Sequence, residues 1–370
     1  MPAYTFTARD VLTGTILGDE MPLSNVQYDL RVNDAAAMTA SLSVDAMAGP
    51  VNFLEPARTA IYVDRGGSLA YAGIMWDEPD YDSSTRTLQI SCLDFLSYWD
   101  HLLITDSITY AAKDQLAIAR SLCDYGMNKG GSNLAPTYVG PTTSGVNRDR
   151  NYLAADQAPI GQRLRELSAV DNGFDFRIYA QWENGYPRRV VQFGYPTLGR
   201  PYPASAVVFD LDVDCTKWTR AKSGSTSANV IYATGSVAAG ATAGTLPPTY
   251  TADDASVRAA GYPRLESSQQ FAEIITATPL QQHAKGALNL QRLPVTTMQL
   301  TMNGTSGPDL GEYLPGDQCK AVVGRGDGLF RYGAEIIATI TSVSVSVDSE
   351  SNDTVTVGIA PSMITEGVAR

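Results

Sequence analysis

The sequence predicts a mainly β protein with an α+β insert, in which two acidic β modules flank a smaller α/β body. Three observations predict it. Apolar and polar residues alternate with a period of two, between turn-forming residues, near both ends of the chain. Helix-period patterns gather in the middle. Charge is sorted by segment: residues 1–100 hold 14 Asp/Glu against 5 Lys/Arg, residues 301–370 hold 9 against 4, and the stretch between holds 16 against 18. The segment nets are −9, −5 and +2 on a chain whose total is −12. A chain of 370 residues is long enough for two to four domains. The expected divisions are 1–104, 105–217 and 218–370.

In the first module, segments 59–64 and 69–76 flank Arg65-Gly66-Gly67-Ser68. This is a hairpin signal, because glycine supplies the positive φ that tight turns require. Asp80-Tyr81-Asp82-Ser83-Ser84 reads as a turn. Leu88, Ile90 and Cys92 then share one strand face, with Thr87, Gln89 and Ser91 on the other. The strand runs into a short helical exit over 94–99.

The insert begins with a helix over about 114–127 that places Leu116, Ala119 and Cys123 on one face. The Gly/Ser/Asn/Pro-rich stretch 128–151 reads as a loop or crossover. A second helix starts at Pro159, carries Ile160, Leu164 and Leu167 on one stripe, and ends before Asn172-Gly173. Phe174, Phe176 and Ile178 alternate in a strand that Glu183-Asn184-Gly185 turns back into 189–193.

The third segment opens with a strand at 228–235, followed by a flexible small-residue loop near 236–262; residues 253–278 show no clear pattern. A third helix near 279–292 carries Leu280, Ala284, Ala287 and Leu288, and Pro294 closes it. Met298, Leu300 and Met302 share a strand face, Pro315-Gly316-Asp317 turns the chain, and 318–323 follows. The long run 334–347 switches its apolar face near Thr341–Ser342, which predicts a bulge where the strand turns a corner between sheets or around a barrel. A polar turn over 348–353 leads to Val355, Val357 and Ile359.

No residue is assigned as catalytic, cofactor-binding or metal-ligating, and no cofactor is expected. The two histidines, His101 and His283, lack any nucleophile or metal spacing around them and read as structural. Asp210, Asp212 and Asp214 alternate with Phe209, Leu211 and Val213, the pattern of a half-exposed strand; a calcium loop needs turn geometry and a glycine. Glu78, Asp80 and Asp82 read as a solvated loop ahead of a glycosidase pair. Arg325-Gly326-Asp327 reads as a hairpin tip ahead of an adhesion tripeptide. Cys92, Cys123, Cys215 and Cys319 have no short-range pairing and read as free thiols. A sequence pI of about 4.6 argues against nucleic-acid binding, since phosphate contacts need clustered Lys/Arg. No apolar run approaches the roughly 18–20 residues of a membrane span. The N-terminus lacks the pattern of a signal peptide, so synthesis and folding in the cytoplasm are expected.

The order of these parts resembles the tail hub (baseplate hub) proteins of long-tailed bacteriophages, often labelled minor tail proteins. Four patterns carry the resemblance: Ala72-Gly73-Ile74 with strand 88–92 and its aromatic helix; Ile160, Leu164 and Leu167 followed by Gly173-Phe174-Asp175-Phe176-Arg177-Ile178; Ala228-Asn229-Val230-Ile231 with Gly235; and Tyr313-Leu314-Pro315-Gly316-Asp317. The resemblance implies a ring-shaped homotrimer at the siphophage tail tip, built from two tail-tube-like β-barrel domains per subunit flanking the smaller α/β domain. It implies as partners a distal tail or tail tube protein, the C-terminus of the tape-measure protein, and other minor tail or fibre proteins. DNA would only pass through, and an acidic lumen would repel its phosphates. The resemblance also implies assembly in the host bacterial cytoplasm, residence at the virion tail tip and no direct membrane insertion. Many relatives carry a further hydrolase, fibre or receptor-binding region; this sequence stops at Arg370, so such activities are expected in other tail proteins. Two further function classes remain open on the residues alone. One is a carbohydrate-binding or adhesion module using Tyr186, Tyr195 and Tyr202. The other is a β-rich glycan hydrolase using the carboxylates of 77–82.

Overall fold

Alternating side chains build the largest feature of the structure, a computed structural model that describes residues 3–367 except 48, 50, 238–241, 243, 272–273 and 349. Eleven strands form one antiparallel path in the order Lys217–Ser223, Val295–Asn303, Asp353–Glu366, Ala334–Val347, Leu23–Arg31, Ala37–Ser43, Thr87–Asp94, Ser68–Ile74, Thr59–Arg65, Tyr4–Asp10 and Ile16–Gly18. Asp80–Asp82, Gln318–Val323 and Val208–Asp210 attach beside this path. The two acidic ends of the chain therefore share a single sheet. Their junction is the antiparallel pairing of Ser342–Val347 with residues 26–31.

Strand Ala334–Val347 makes this junction possible. Its even-numbered residues are buried up to Ile340, and its odd-numbered residues are buried from Val343 onward. The phase changes at a bulge: Ile340 pairs with Ile359 and Ser342 with Gly358, leaving Thr341 as the extra residue. Before the bulge the strand pairs with Gln318–Val323, and after it with Leu23–Arg31. An unpaired residue increases local twist and re-aims a strand, so the corner expected from the sequence is where one strand passes between two partners. Pro361 lies past the last pairing of its strand with Val295–Asn303, at a position that has no ladder bond to donate there.

One core joins the two ends of the chain, with Phe6, Met38, Ile61 and Cys92 from the first module packed with Met302, Ile336, Val345 and Val357 from the last. A second core lies on the far side of the hairpin formed by Thr59–Arg65 and Ser68–Ile74. Ala60, Tyr62, Ala72 and Ile74 pack there against Trp99, the helices Gln115–Met127 and Ile160–Ser168, and Phe174, Phe176 and Phe193. The hairpin is thus buried on both faces, which explains its near-continuous apolar sequence. A third, small core holds Ile231, Ala233, Ala252 and Leu280 under the helix Ala277–Gln291.

Four segments differ from the sequence reading. Asp80–Asp82 is a short strand paired with Thr87–Asp94, so the turn begins at Ser83. The stretch 128–151 contains two strands, Thr137–Val139 and Asn147–Tyr152, each recruited by a longer partner. Within 236–262, the strand Thr249–Asp253 and the helix Ala255–Ala259 are ordered by pairing with Val230–Thr234 and by an Asp254 cap on Ser256 N–H. Part of the expected small-residue loop, 238–241 and 243, lies outside the described residues. The unpatterned stretch 253–278 contains the strand Glu266–Gln270, which pairs in parallel with Val230–Thr234.

The near-neutral charge of the middle segment has a structural use. Arg189 is buried, donates to the carbonyls of Val11 and Leu134, and lies over the Phe95 ring. Arg148 is also buried and donates to Gln115 Oε1 and to the carbonyls of Asp171 and Asn172. Arg189 joins the insert to the first module through Val11 and Phe95, and Arg148 ties together segments of the insert itself.

Candidate functional site

The face of the shared sheet turned away from the core is an organised polar surface. Cross-strand partners lie on the same face, so pairing alone traces its rows. One row runs Asn303–Thr354–Ser346–Gln27–Thr39–Ser91 across six strands. A second runs Lys217–Thr301–Thr356–Ser344–Asp29, and a third Thr219–Gln299–Gly358–Ser342–Arg31. The opposite face of the same six strands carries Met302–Val355–Val345–Tyr28–Met38–Cys92, and every one of these is buried. Asp29 and Arg31 pair with each other at 2.6 Å, so the centre of the polar face is locally neutral. A shallow groove of about 310 Å³ lies there, its polar lining of Gln27, Asp29, Thr39, Ser344, Ser346, Thr354 and Thr356 interleaved with Tyr28, Ala37, Met38 and Val345. Small hydroxyl and amide groups of this kind hold water and offer no clustered cations to a polyanion.

A buried clamp sets the two ends of the chain against each other beneath this face. The Asp353 carboxylate accepts from Arg65 Nε and from the Tyr4 hydroxyl, each at 2.8 Å. Arg65 also donates to the carbonyl oxygens of Gly304 at 3.2 Å and Leu310 at 3.4 Å. Burial pushes the Tyr4 phenol up to about 12, so it remains a donor at neutral pH. A Cβ at Gly304 would fall 1.8 Å from Asp353 Oδ1, so only glycine admits the carboxylate. Asp94 is a second buried carboxyl. It accepts from the N–H groups of Ala36 and Leu96, and burial raises it to about 7.

The residues singled out in the sequence are scattered among ordinary structural roles. His101 stacks on Trp76 at 3.9 Å, and His283 packs against Phe271 with ring centroids 5.0 Å apart. Burial, with Arg150 and Arg148 nearby, pushes His283 down to about 4. Asp210, Asp212 and Asp214 do not alternate along a strand: the strand ends at Asp210 and a turn follows, leaving Val213 76% exposed. The carboxylates accept backbone N–H groups: Asp214 from Asp210, Asp210 from Asp212, and Asp212 from Gly324. Asp80 and Asp82 are exposed beside Glu78, and Asp82 accepts from both the N–H and hydroxyl of Ser84. Arg325-Gly326-Asp327 is a turn, with Gly326 at φ +96° and Asp327 accepting from the N–H groups of Leu329 and Phe330. Tyr186 is 70% exposed at a hairpin end, Tyr195 packs against the second core, and Tyr202 donates its N–H to Gln318 Oε1. No ring contact joins the three among the described residues. All four cysteines are free, with Cys92, Cys123 and Cys319 buried.

Sequence reasoning missed the polar face and its clamp. Both depend on pairings between residues more than 200 positions apart, whereas each strand alone shows only its own alternation.

No family model matches this chain, and no curated protein matches it. Solved structures do. A tail protein from Neisseria meningitidis MC58 superposes with a TM-score of 0.59 at 10% identity, covering 97% of each chain. The 43 kDa tail protein of prophage MuSo2 from Shewanella oneidensis gives 0.58 at 14% identity, covering 96% of this chain and 98% of that one. Prophage tail protein gp18 from Listeria monocytogenes EGD-e gives 0.52 at 11%, covering 96% and 94%. The mainly β architecture described above is thus a fold that this chain shares with these tail proteins over nearly its whole length.

Proposed function

We propose that the chain is a structural component of a bacteriophage tail, a trimeric hub at the tail tip that joins the tail tube to the tip proteins. In this reading 1–104 and 218–370 act as its two barrel-type domains and 105–217 as the insert beside them. The observation that carries the reading is the six-strand polar face, in a fold shared end to end with proteins whose names are those of tail proteins. Three copies arranged in a ring would line a bore with such faces. A wall of hydroxyls and amides stays wet and gives phosphates little to bind, so DNA slides instead of sticking. The acidic first module supplies the longer-range repulsion, from loops and strand ends instead of the wall itself.

The partners in this reading are the distal tail or tube protein, the end of the tape-measure protein within the bore, and other minor tail or fibre proteins. The work is done by interfaces, without an active site, at the virion tail tip after assembly in the host cytoplasm. Light scattering across a concentration series tests it: assembly to three copies is expected. A dimer that stays a dimer at all concentrations would overturn the ring.

A further inference from the structure

We propose that copies of this chain add head to tail through the two ends of the polar face. The basic edge strand Lys217–Ser223 of one copy would seat beside the acidic edge strand Asp80–Asp82 of the next. The inference rests on the ring reading above and names the interface that closes it.

Each strand has one paired side and one open side among the described strands. Lys217–Ser223 pairs only with Val295–Asn303, and Asp80–Asp82 only with Thr87–Asp94. They stand at opposite ends of the same face. Lys217 heads the row that reaches Asp29, while Asp80 and Asp82 sit opposite Gln89 and Thr87. Lys217 and Lys222 are exposed and make no ion pair among the described residues, and Asp80 and Asp82 are exposed and make none there either. The polar face thus ends in Lys217 at one side and in Asp80 and Asp82 at the other, while Lys222, opposite Thr296, adds its charge to the same edge from the reverse face.

Lysine on an edge strand ordinarily blunts it against pairing. Two copies joined through the basic edge would set Lys217, Arg220 and Lys222 against themselves, and two acidic edges would clash likewise. Only the unlike edges match. That disfavours a two-fold contact through either edge and favours a heterologous one, which rotation can close into a ring. Backbone hydrogen bonds between the open strands would supply affinity, the charges would supply register, and the polar rows would continue across the joint.

The test uses full-length protein in two doubly reversed forms, Asp80→Lys with Asp82→Lys and Lys217→Glu with Lys222→Glu, and a fourfold form that exchanges both sets. Thermal unfolding checks that each is folded, and light scattering reads assembly. Each doubly reversed form is expected to need about a hundredfold more protein to assemble, and the fourfold form to recover wild-type behaviour. A zero-length carbodiimide should link Lys217 or Lys222 of one wild-type chain to Asp80 or Asp82 of another. If the wild type forms a ring but folded reversals assemble unchanged, or the link is absent, the interface lies elsewhere and the ring reading stands. If the wild type is monomeric at every concentration and no interchain link forms, both fall.

Discussion

Asp353 is held, largely out of reach of solvent, by two side chains from the other end of the chain. Its side chain is 5% exposed and that of Arg65 12%. Removing one member of a buried pair strands the other charge, at a cost of about 3–5 kcal/mol. Arg65→Ala should therefore lower unfolding stability by that order in a denaturant titration. Replacing both residues with apolar ones should cost less than the single changes together, and additive losses would contradict a coupled clamp. Asp94 and His283 make a second case, in pH. Asp94 is raised to about 7 in the fold, so its neutral form contributes stability that is complete below about pH 4 and lost as pH rises through 7. His283 is lowered to about 4, so its contribution is complete above about pH 6.5 and lost as pH falls through 4. Between pH 4 and 6.5 the two oppose each other. Asp94→Asn should make stability rise more steeply with pH across that window, by about 1.4 kcal/mol per unit. An unchanged slope would show that Asp94 is ionised in the fold.

At the scale of elements, the bulge at Thr341 decides whether one strand can serve two partners. Deleting Thr341 would leave 334–340 and 343–347 in a single phase but remove the extra twist that carries the strand from Gln318–Val323 to Leu23–Arg31, loosening the pairing that covers 343–347. Val343, Val345 and Val347 are each buried, and exposing a valine costs roughly 1.5 kcal/mol or more. The deletion should abolish soluble folded protein or lower its Tm by many degrees; a Tm close to wild type would contradict the account. This element was legible in the sequence, because a phase change leaves a mark in the residues themselves. The hairpin at Gly66-Gly67 and the helices Gln115–Met127, Ile160–Ser168 and Ala277–Gln291 were legible for the same reason. Asp80–Asp82 and Thr137–Val139 were not, since three residues carry no period and became strands only because a longer neighbour offered an edge. Asp210 to Asp214 misled because a turn capped by its own carboxylates can alternate as regularly as a strand.

At the scale of the whole molecule, the joining of the two acidic ends was hidden from the sequence. Charge sorting marked both ends as alike, but nothing local says that residues 26–31 pair with 342–347. That pairing turns two sets of strands into one continuous face, and the face is where the proposed function lies. Its rows are uncharged or locally paired at the centre, with unlike charges reserved for its two ends. A tail component that lets DNA pass and joins its own copies would need both properties.

Electron cryomicroscopy of the assembled full-length protein tests this account most directly. It predicts a threefold ring with the Asn303–Thr354–Ser346–Gln27–Thr39–Ser91 row on the wall of the bore. A particle with twofold symmetry, or a ring that carries this row on its outer surface, would contradict it.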